Sequence, residues 1–141
     1  MDDFAVEAQP FAKNDATGVQ LFHAVSKKRG HLPVVLKYCQ IRPLDISHFR
    51  EAVQTHVEEG LVQGLVKHPN ICRVLESKFE LDYTNRQGIV VHVLEALEKD
   101  LGGEIIERTA SNRLVSEEEL VKFLLQTSGA LAQAHSLVRD R

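Results

Sequence analysis

The residues of this chain that could do chemistry are one lysine and one of two neighbouring glutamates. Lys37 ends the apolar run of residues 34–37, and Glu58 and Glu59 follow within a helical pattern. A lysine in an apolar strand costs free energy unless it is paired, and a carboxylate on the next helix is the obvious partner. A paired amine is a compact cation that can position the phosphates of a bound nucleotide. The order of these residues therefore predicts phosphate chemistry.

A hairpin and a helix must position that lysine and its partner. Alternating apolar residues predict strands over residues 19–25 and 32–40, joined by a basic turn. A helix is then predicted to open at 43–47 and to end before Pro69. Its apolar residues recur at four-residue intervals: Phe49, Val53, Val57, Leu61 and Leu65.

The second half of the chain predicts two more strands and two helices. Residues 71–81 and 89–94 are strand-like, and the second of these is the strongest β segment in the chain. Ser116 and Glu119 form a capping box that starts a long helix over about 117–137, after a shorter helix. The order β-β-α-β-β followed by helices predicts an α+β fold with an antiparallel sheet.

Composition and charge are those of an ordinary globular domain. The chain has 141 residues, of which 43% are hydrophobic and 26% are charged, with a formal net charge of −3. A chain of this length can form one domain with a hydrophobic core. Its charge gives no large positive field that would favour nucleic acid or an anionic membrane. No apolar run approaches the roughly 18 residues of a membrane span, and the acidic N-terminus is unlike a secretory signal. Residues 1–16 show little periodicity, and we expect them to be a flexible lead-in.

Cysteines and histidines show no metal-ligand spacing. Cys39 and Cys72 are far apart, and the seven histidines are scattered without an HxxxH pair. We therefore expect two reduced thiols in a cytoplasmic protein, and no metal site.

The order of these features resembles the small N-terminal lobe of the eukaryotic protein kinase family. Lys37 resembles the lysine on the third strand of that family, and Glu59, ten residues before Pro69, resembles its partner on the regulatory helix. The turn His68-Pro69-Asn70-Ile71 is similar to the turn that follows this helix in the family. Residues 89–101 resemble the fifth strand, the hinge and the start of the next helix.

The resemblance implies a division of the chain and a class of enzyme. After a flexible segment, residues 17–141 would be a partial protein kinase domain. Its parts would be a small lobe over 17–94, a hinge over 95–100 and the start of a large lobe over 101–141. A full-length relative would phosphorylate serine or threonine.

The resemblance also implies ATP with magnesium as the ligand, bound between the small lobe and the hinge. Lys37 and Glu59 would act on the phosphates, with Glu58 as the alternative if the helix register differs by one residue. The other implied residues are Leu21 and Val35 over the purine, Leu94 behind it, Glu95 and Leu97 at the hinge, and Asp100 near a ribose hydroxyl.

Two parts of the family pattern are absent from these 141 residues. The glycine positions of the phosphate-covering loop fall at Asn14, Ala16 and Val19, where glycine would let backbone donors approach phosphate. The catalytic-loop aspartate and the Asp-Phe-Gly motif are also missing, since Arg139-Asp140 lies too close to His135 to match. We expect this chain alone to be inactive. The alternative is a non-catalytic, pseudokinase-like scaffold or regulatory module, with a protein partner on the exposed C-terminal helix.

Overall fold

The computed structural model describes residues 2–42, 46–97 and 101–139. Within them the chain forms a six-stranded antiparallel sheet and three helices, so the predicted α+β class with an antiparallel sheet is confirmed. The strands are β1 (Phe4–Val6), β2 (Ala12–Asn14), β3 (Val19–Ser26), β4 (Leu32–Ile41), β5 (Val74–Asp82) and β6 (Gln87–Glu95). The helices are α1 (Ile46–Leu65), α2 (Leu101–Ala110) and α3 (Glu117–Arg139).

These elements belong to two compact units. The first unit comprises Met1–Leu65 and Arg73–Ala96, and it holds the whole sheet together with α1. The second unit comprises Val66–Cys72 and Leu97–Arg141, and it holds α2 and α3. Among the described residues, no helix has both the length and the apolar character needed to cross a membrane.

The sheet has the strand order β1-β3-β4-β6-β5, and β2 also pairs with β3. The predicted hairpin is confirmed, because β3 and β4 pair in register from Val19 opposite Cys39 to Ser26 opposite Leu32. Strand β6 lies between β4 and β5, so β4 and β6 are the central strands. Their nearly continuous apolar sequences follow from this position, because both faces of a central strand are buried here.

Alternation along the strands gives the sheet two apolar faces. We call one of them the helix face, defined by the odd-numbered residues of β4 from Val35 to Ile41 and the strand positions paired with them. Helix α1 packs on it through one cluster of buried residues: Cys39, Ile41, Phe49, Val53 and Val90. The opposite face has its own cluster: Phe4, Ala24, Val34, Leu36, Val91 and Val93.

The first sixteen residues, expected to be a flexible lead-in, contain two short strands. Phe4 pairs with Ser26 in the β1–β3 ladder, and its side chain is buried in the core. Ala12 pairs with Leu21 in the β2–β3 ladder. Strands of three residues are too short to show an alternating pattern, so periodicity could not reveal them.

Two element boundaries also differ from the prediction. Helix α1 begins at Ile46, and the predicted opening at 43–47 falls partly outside the described residues. Strand β5 begins at Val74 rather than at Ile71, because Ile71 closes a turn by donating its backbone N–H to the carbonyl of His68 at 3.1 Å. The amide of Asn70 in this turn donates to the backbone carbonyl of Gln126 on α3 at 3.4 Å.

The predicted capping box at the start of α3 is confirmed. Glu119 N–H donates to Ser116 Oγ at 3.1 Å, and Ser116 N–H donates to Glu119 Oε2 at 2.9 Å. Arg108 on α2 donates to both carboxylate oxygens of Glu119 at 2.9 Å, and its Nε donates to Glu104. These bonds hold the pKa of Glu119 at about 2, with Arg108 as the largest cause.

We expect acidification to weaken the junction between α2 and α3. The pKa of Glu119 is about 2 in the fold and 4.5 when unperturbed. Because the pKa of Glu119 is lower in the fold, the ionised carboxylate stabilises the fold at pH values above 4.5. This stabilisation is lost as the pH falls through the folded pKa of about 2. Circular dichroism during heating should show the wild type more stable than Glu119→Gln at neutral pH. The difference should shrink as the pH falls below 4.5 and vanish below about 2.

Glu118→Gln is the matched control, because it makes the same charge change in the same helical turn. It should differ little from the wild type at neutral pH. A gap between wild type and Glu119→Gln that stays constant with pH would contradict the assignment.

Candidate functional site

An ion pair joins the centre of the sheet to the helix above it. Lys37 lies on β4, on the helix face, and Glu59 lies on α1. Lys37 Nζ donates to Glu59 Oε1 at 2.5 Å, and both side chains are part-buried, at 25% and 39% exposure. The structure therefore brings together the two residues whose types and order indicated phosphate chemistry.

Glu59, rather than Glu58, is the partner of this lysine. Glu58 lies on the exposed side of α1, where it accepts a hydrogen bond from Gln54 Nε2 at 2.8 Å. Partial burial raises the pKa of Glu59, but the hydrogen bond from Lys37 and its positive charge outweigh burial, so the net shift is downward. Glu59 is thus an anion at neutral pH, as an ion pair with Lys37 requires.

The predicted purine-lining residues share the helix face with Lys37. Leu21 on β3 lies opposite Lys37, and Val35 on β4 lies opposite Leu94 on β6. Paired residues of antiparallel strands point to the same side of a sheet, so all four share one face. Among the described elements, α1 packs on β4, β5 and β6 but not on β3. The part of the face around Leu21 is therefore not covered by the helix.

The predicted hinge residues have three different outcomes. Glu95 ends β6 and is anchored to Arg73, whose backbone N–H donates to Glu95 Oε1 at 2.9 Å and whose carbonyl accepts from the Glu95 N–H at 3.0 Å. Leu97 is exposed and belongs to the second unit. Asp100 lies outside the described residues. The first unit thus holds Leu21, Val35, Lys37, Glu59, Leu94 and Glu95.

The turn between β2 and β3 occupies the position predicted for the phosphate-covering loop. Asn14 Oδ1 accepts the backbone N–H groups of Ala16 at 3.0 Å and Thr17 at 3.2 Å. The N–H of Gly18, at φ +72°, donates to the Asn14 carbonyl at 2.9 Å. Three backbone donors that could meet a phosphate are therefore already bonded within the turn.

An aromatic pair that sequence reasoning missed lies beside the purine-lining residues. The rings of Phe11 and His23 stack with their centroids 4.0 Å apart, and His23 is paired with Val35 on the helix face. Phe11 is the last residue of the connection between β1 and β2, within the segment expected to be flexible. Strand alternation could have placed His23 on this face, whereas no sequence signal identifies Phe11.

A second group of polar side chains lies under α1, next to the ion pair. His92 on β6 is paired with Lys37 across the ladder and is 2% exposed. Its Nδ1 is hydrogen-bonded to Ser77 Oγ at 2.7 Å. Burial lowers the pKa of His92 and raises the pKa of the Cys39 thiol, so both groups are neutral at neutral pH.

A cavity in the described part of the chain lies away from the ion pair. It has a volume of about 440 Å³ and lies at the ends of β4, β5 and β6. Its lining includes Glu80 and Asp82 but no lysine or arginine. Two carboxylates without a cation repel phosphate, so the charge of this cavity disfavours a nucleotide.

No protein-family model matches this chain, and a search of curated proteins found no match. The resemblance to protein kinases therefore rests on the residues and contacts given above.

Proposed function

We propose that this chain is a protein-kinase-like small lobe followed by the first helices of a large lobe, and that it binds ATP on the helix face. The observation that carries the proposal is the ion pair between Lys37 and Glu59. In protein kinases the corresponding lysine lies on the third strand and its glutamate on the following helix. Because β1 and β2 both pair with β3, they count as one interrupted edge strand, and β4 is then the third.

The residues of the helix face fit part of an ATP molecule. Leu21, Val35 and Leu94 offer apolar contact for a purine, and Lys37 offers an amine for phosphate. The turn at Asn14 does not fit the phosphates, because its donors are bonded internally. Affinity should therefore depend strongly on Lys37. Magnesium would arrive with the nucleotide, and the roles predicted for Leu97 and Asp100 stay predictions.

We also propose that this chain does not catalyse phosphoryl transfer. Phosphoryl transfer in protein kinases needs a catalytic-loop aspartate and the aspartate of Asp-Phe-Gly, and neither motif occurs in these 141 residues. We expect no phosphorylation of a generic serine or threonine substrate. A cytoplasmic location, where the two thiols stay reduced, belongs to the same proposal.

Thermal unfolding with ATP and magnesium tests the nucleotide site. A ligand at about a hundred times its Kd adds about 2.7 kcal/mol to stability, which corresponds to a rise of several degrees in melting temperature. We expect this rise in the wild type and its loss in Lys37→Met, which removes the amine and keeps most of the buried stem.

Lys27→Met is the matched control, because Lys27 lies in the turn after β3 and donates only to the backbone carbonyl of Asp2 in its described side-chain contacts. It should keep the full rise with ATP. A rise that survives in Lys37→Met would remove Lys37 from the site. A cooperative melt without any rise in the wild type would contradict nucleotide binding.

The second candidate function is a non-catalytic interaction module, and two observations favour it. Three backbone donors of the turn at Asn14 are bonded within the turn rather than free for phosphate. Helix α3 also exposes a series of large apolar side chains: Leu120, Val121, Phe123, Leu124, Leu125 and Leu131. An exposed apolar row of this kind suits a protein partner. Absence of an ATP effect in a well-folded protein would favour this function.

A further inference from the structure

We propose that Cys39, His56 and His92 form a binding site for one divalent transition-metal ion, with Zn²⁺ as the best match. The three residues come from β4, α1 and β6, and they meet beneath the helix. None of these three ligands is a residue assigned to ATP, although Glu59 lies beside His56.

The three possible ligand atoms lie near enough to one another to approach a single metal ion. One possible ligand atom from each residue, a sulfur and two ring nitrogens, lies within 4.8 Å of the others. Ligands of a tetrahedral zinc ion bind at about 2.0 to 2.3 Å from the metal, so a small inward movement of the side chains completes the site. Cys39 and His92 are 1% and 2% exposed, whereas His56 is part-exposed and offers a route for the ion.

Each of the two histidines has a buried ring nitrogen without a hydrogen bond to the described part of the chain. His92 Nε2 and His56 Nδ1 are buried, and neither has a hydrogen-bond partner among the described residues. A buried polar atom without a hydrogen-bond partner costs free energy, so such atoms call for an explanation. A metal ion held between the two rings is one such explanation.

Ser77 supports the assignment of His92. Its hydroxyl is hydrogen-bonded to His92 Nδ1 at 2.7 Å, which leaves Nε2 for the ion. When Nδ1 carries the proton and donates to the hydroxyl, Nε2 has the lone pair that a metal requires. Histidine ligands commonly have such a second hydrogen bond, which fixes the orientation of the ring.

The donor set selects a borderline or soft metal. One thiolate and two imidazoles suit Zn²⁺, and three protein ligands leave a fourth position for water or a carboxylate. Glu59 Oε2 lies 3.7 Å from His56 Nδ1, so this carboxylate is adjacent to the fourth position. On binding, the Cys39 thiol gives its proton to solvent and the sulfur bonds to the metal. The negative thiolate offsets part of the metal charge next to Lys37.

Metal titration of the purified, metal-free chain tests the site without nucleotide. Calorimetry should show one Zn²⁺ per folded chain. Co²⁺ should give the near-ultraviolet charge-transfer band of a cobalt–thiolate bond, which Cys39→Ser should abolish. His56→Ala should weaken Zn²⁺ binding by about tenfold or more, and Ser77→Ala by about 10- to 100-fold with the cobalt band retained.

Cys72→Ser is the control, because Cys72 lies in the second unit. It should leave both the affinity and the cobalt band unchanged. Cooperative melting of each variant without metal establishes that it is folded, and His56→Ala changes a part-exposed residue that the fold should tolerate. Unchanged binding in folded Cys39→Ser or His56→Ala, or no stoichiometric binding by the wild type, would overturn the site. Both measurements are made without nucleotide, so they test the metal site alone.

Discussion

Replacing Phe49 with alanine should lower the free energy of unfolding of the first unit by about 3 to 5 kcal/mol. Phe49 is 0% exposed and belongs to the cluster that joins α1 to the helix face. Its ring meets Tyr83 edge-on, with centroids 5.4 Å apart. Truncation leaves a cavity at the point where the helix is fixed to the sheet. Because Glu59 is on that helix, its pairing with Lys37 should also loosen.

Tyrosine fluorescence during denaturant unfolding can measure this effect, because both tyrosines of the chain, Tyr38 and Tyr83, lie in the first unit. Leu61→Ala is the matched control in the same helix, since Leu61 is 59% exposed. Its effect should stay within about 0.5 kcal/mol. Equal losses in the two variants would show that Phe49 does not anchor the helix.

Two glycines of α1 should respond to alanine with opposite signs. A Cβ at Gly60 would lie 2.7 Å from His92 Cε1 and 2.8 Å from Ser77 Oγ, whereas a Cβ at Gly64 meets nothing within 4 Å. Alanine improves helix propensity by about 1 kcal/mol at either position, but overpacking against the sheet costs about 1 to 3 kcal/mol. Gly60→Ala should therefore destabilise the first unit by up to about 2 kcal/mol.

Gly64→Ala should stabilise the same unit by up to about 1 kcal/mol, because the propensity gain has no opposing contact. Denaturant midpoints of the two variants, measured beside the wild type, give both signs in one experiment. Stabilisation by both variants would mean that α1 does not approach β5 and β6 as closely as the contact at Gly60 requires. The size of residue 60 thus limits how closely the helix can pack on His92.

The elements that sequence predicted well are those long enough to show a period. Strands β3, β4 and β6 alternate or are continuously apolar, and α1 repeats its apolar residues every four positions. The capping box located the start of α3 through hydrogen bonds between residues three apart. Strands β1 and β2 were missed because three residues cannot establish a period, and because pairing with β3 is a tertiary interaction.

The sequence could predict those site residues that lie on consecutive secondary-structure elements. Lys37 and Glu59 lie on consecutive elements, so a lysine in an apolar strand indicated its own partner. Cys39, His56 and His92 come together only through strand register and helix packing. Their spacing in the sequence is unlike that of local metal motifs, which is why the histidines gave no signal. The internal bonding of the turn at Asn14 also depends on side-chain conformation that composition does not specify.

The position of β6 between β4 and β5 determines when the sheet can form during synthesis. The ribosome releases β4 well before residues 87–95, so one edge of an apolar central strand stays unpaired while α1 and β5 emerge. An open apolar edge is a template for pairing with other chains. We therefore expect the nascent chain to be prone to aggregation over this interval. Pairing of β6 with β4 and β5 covers that edge and completes the helix face.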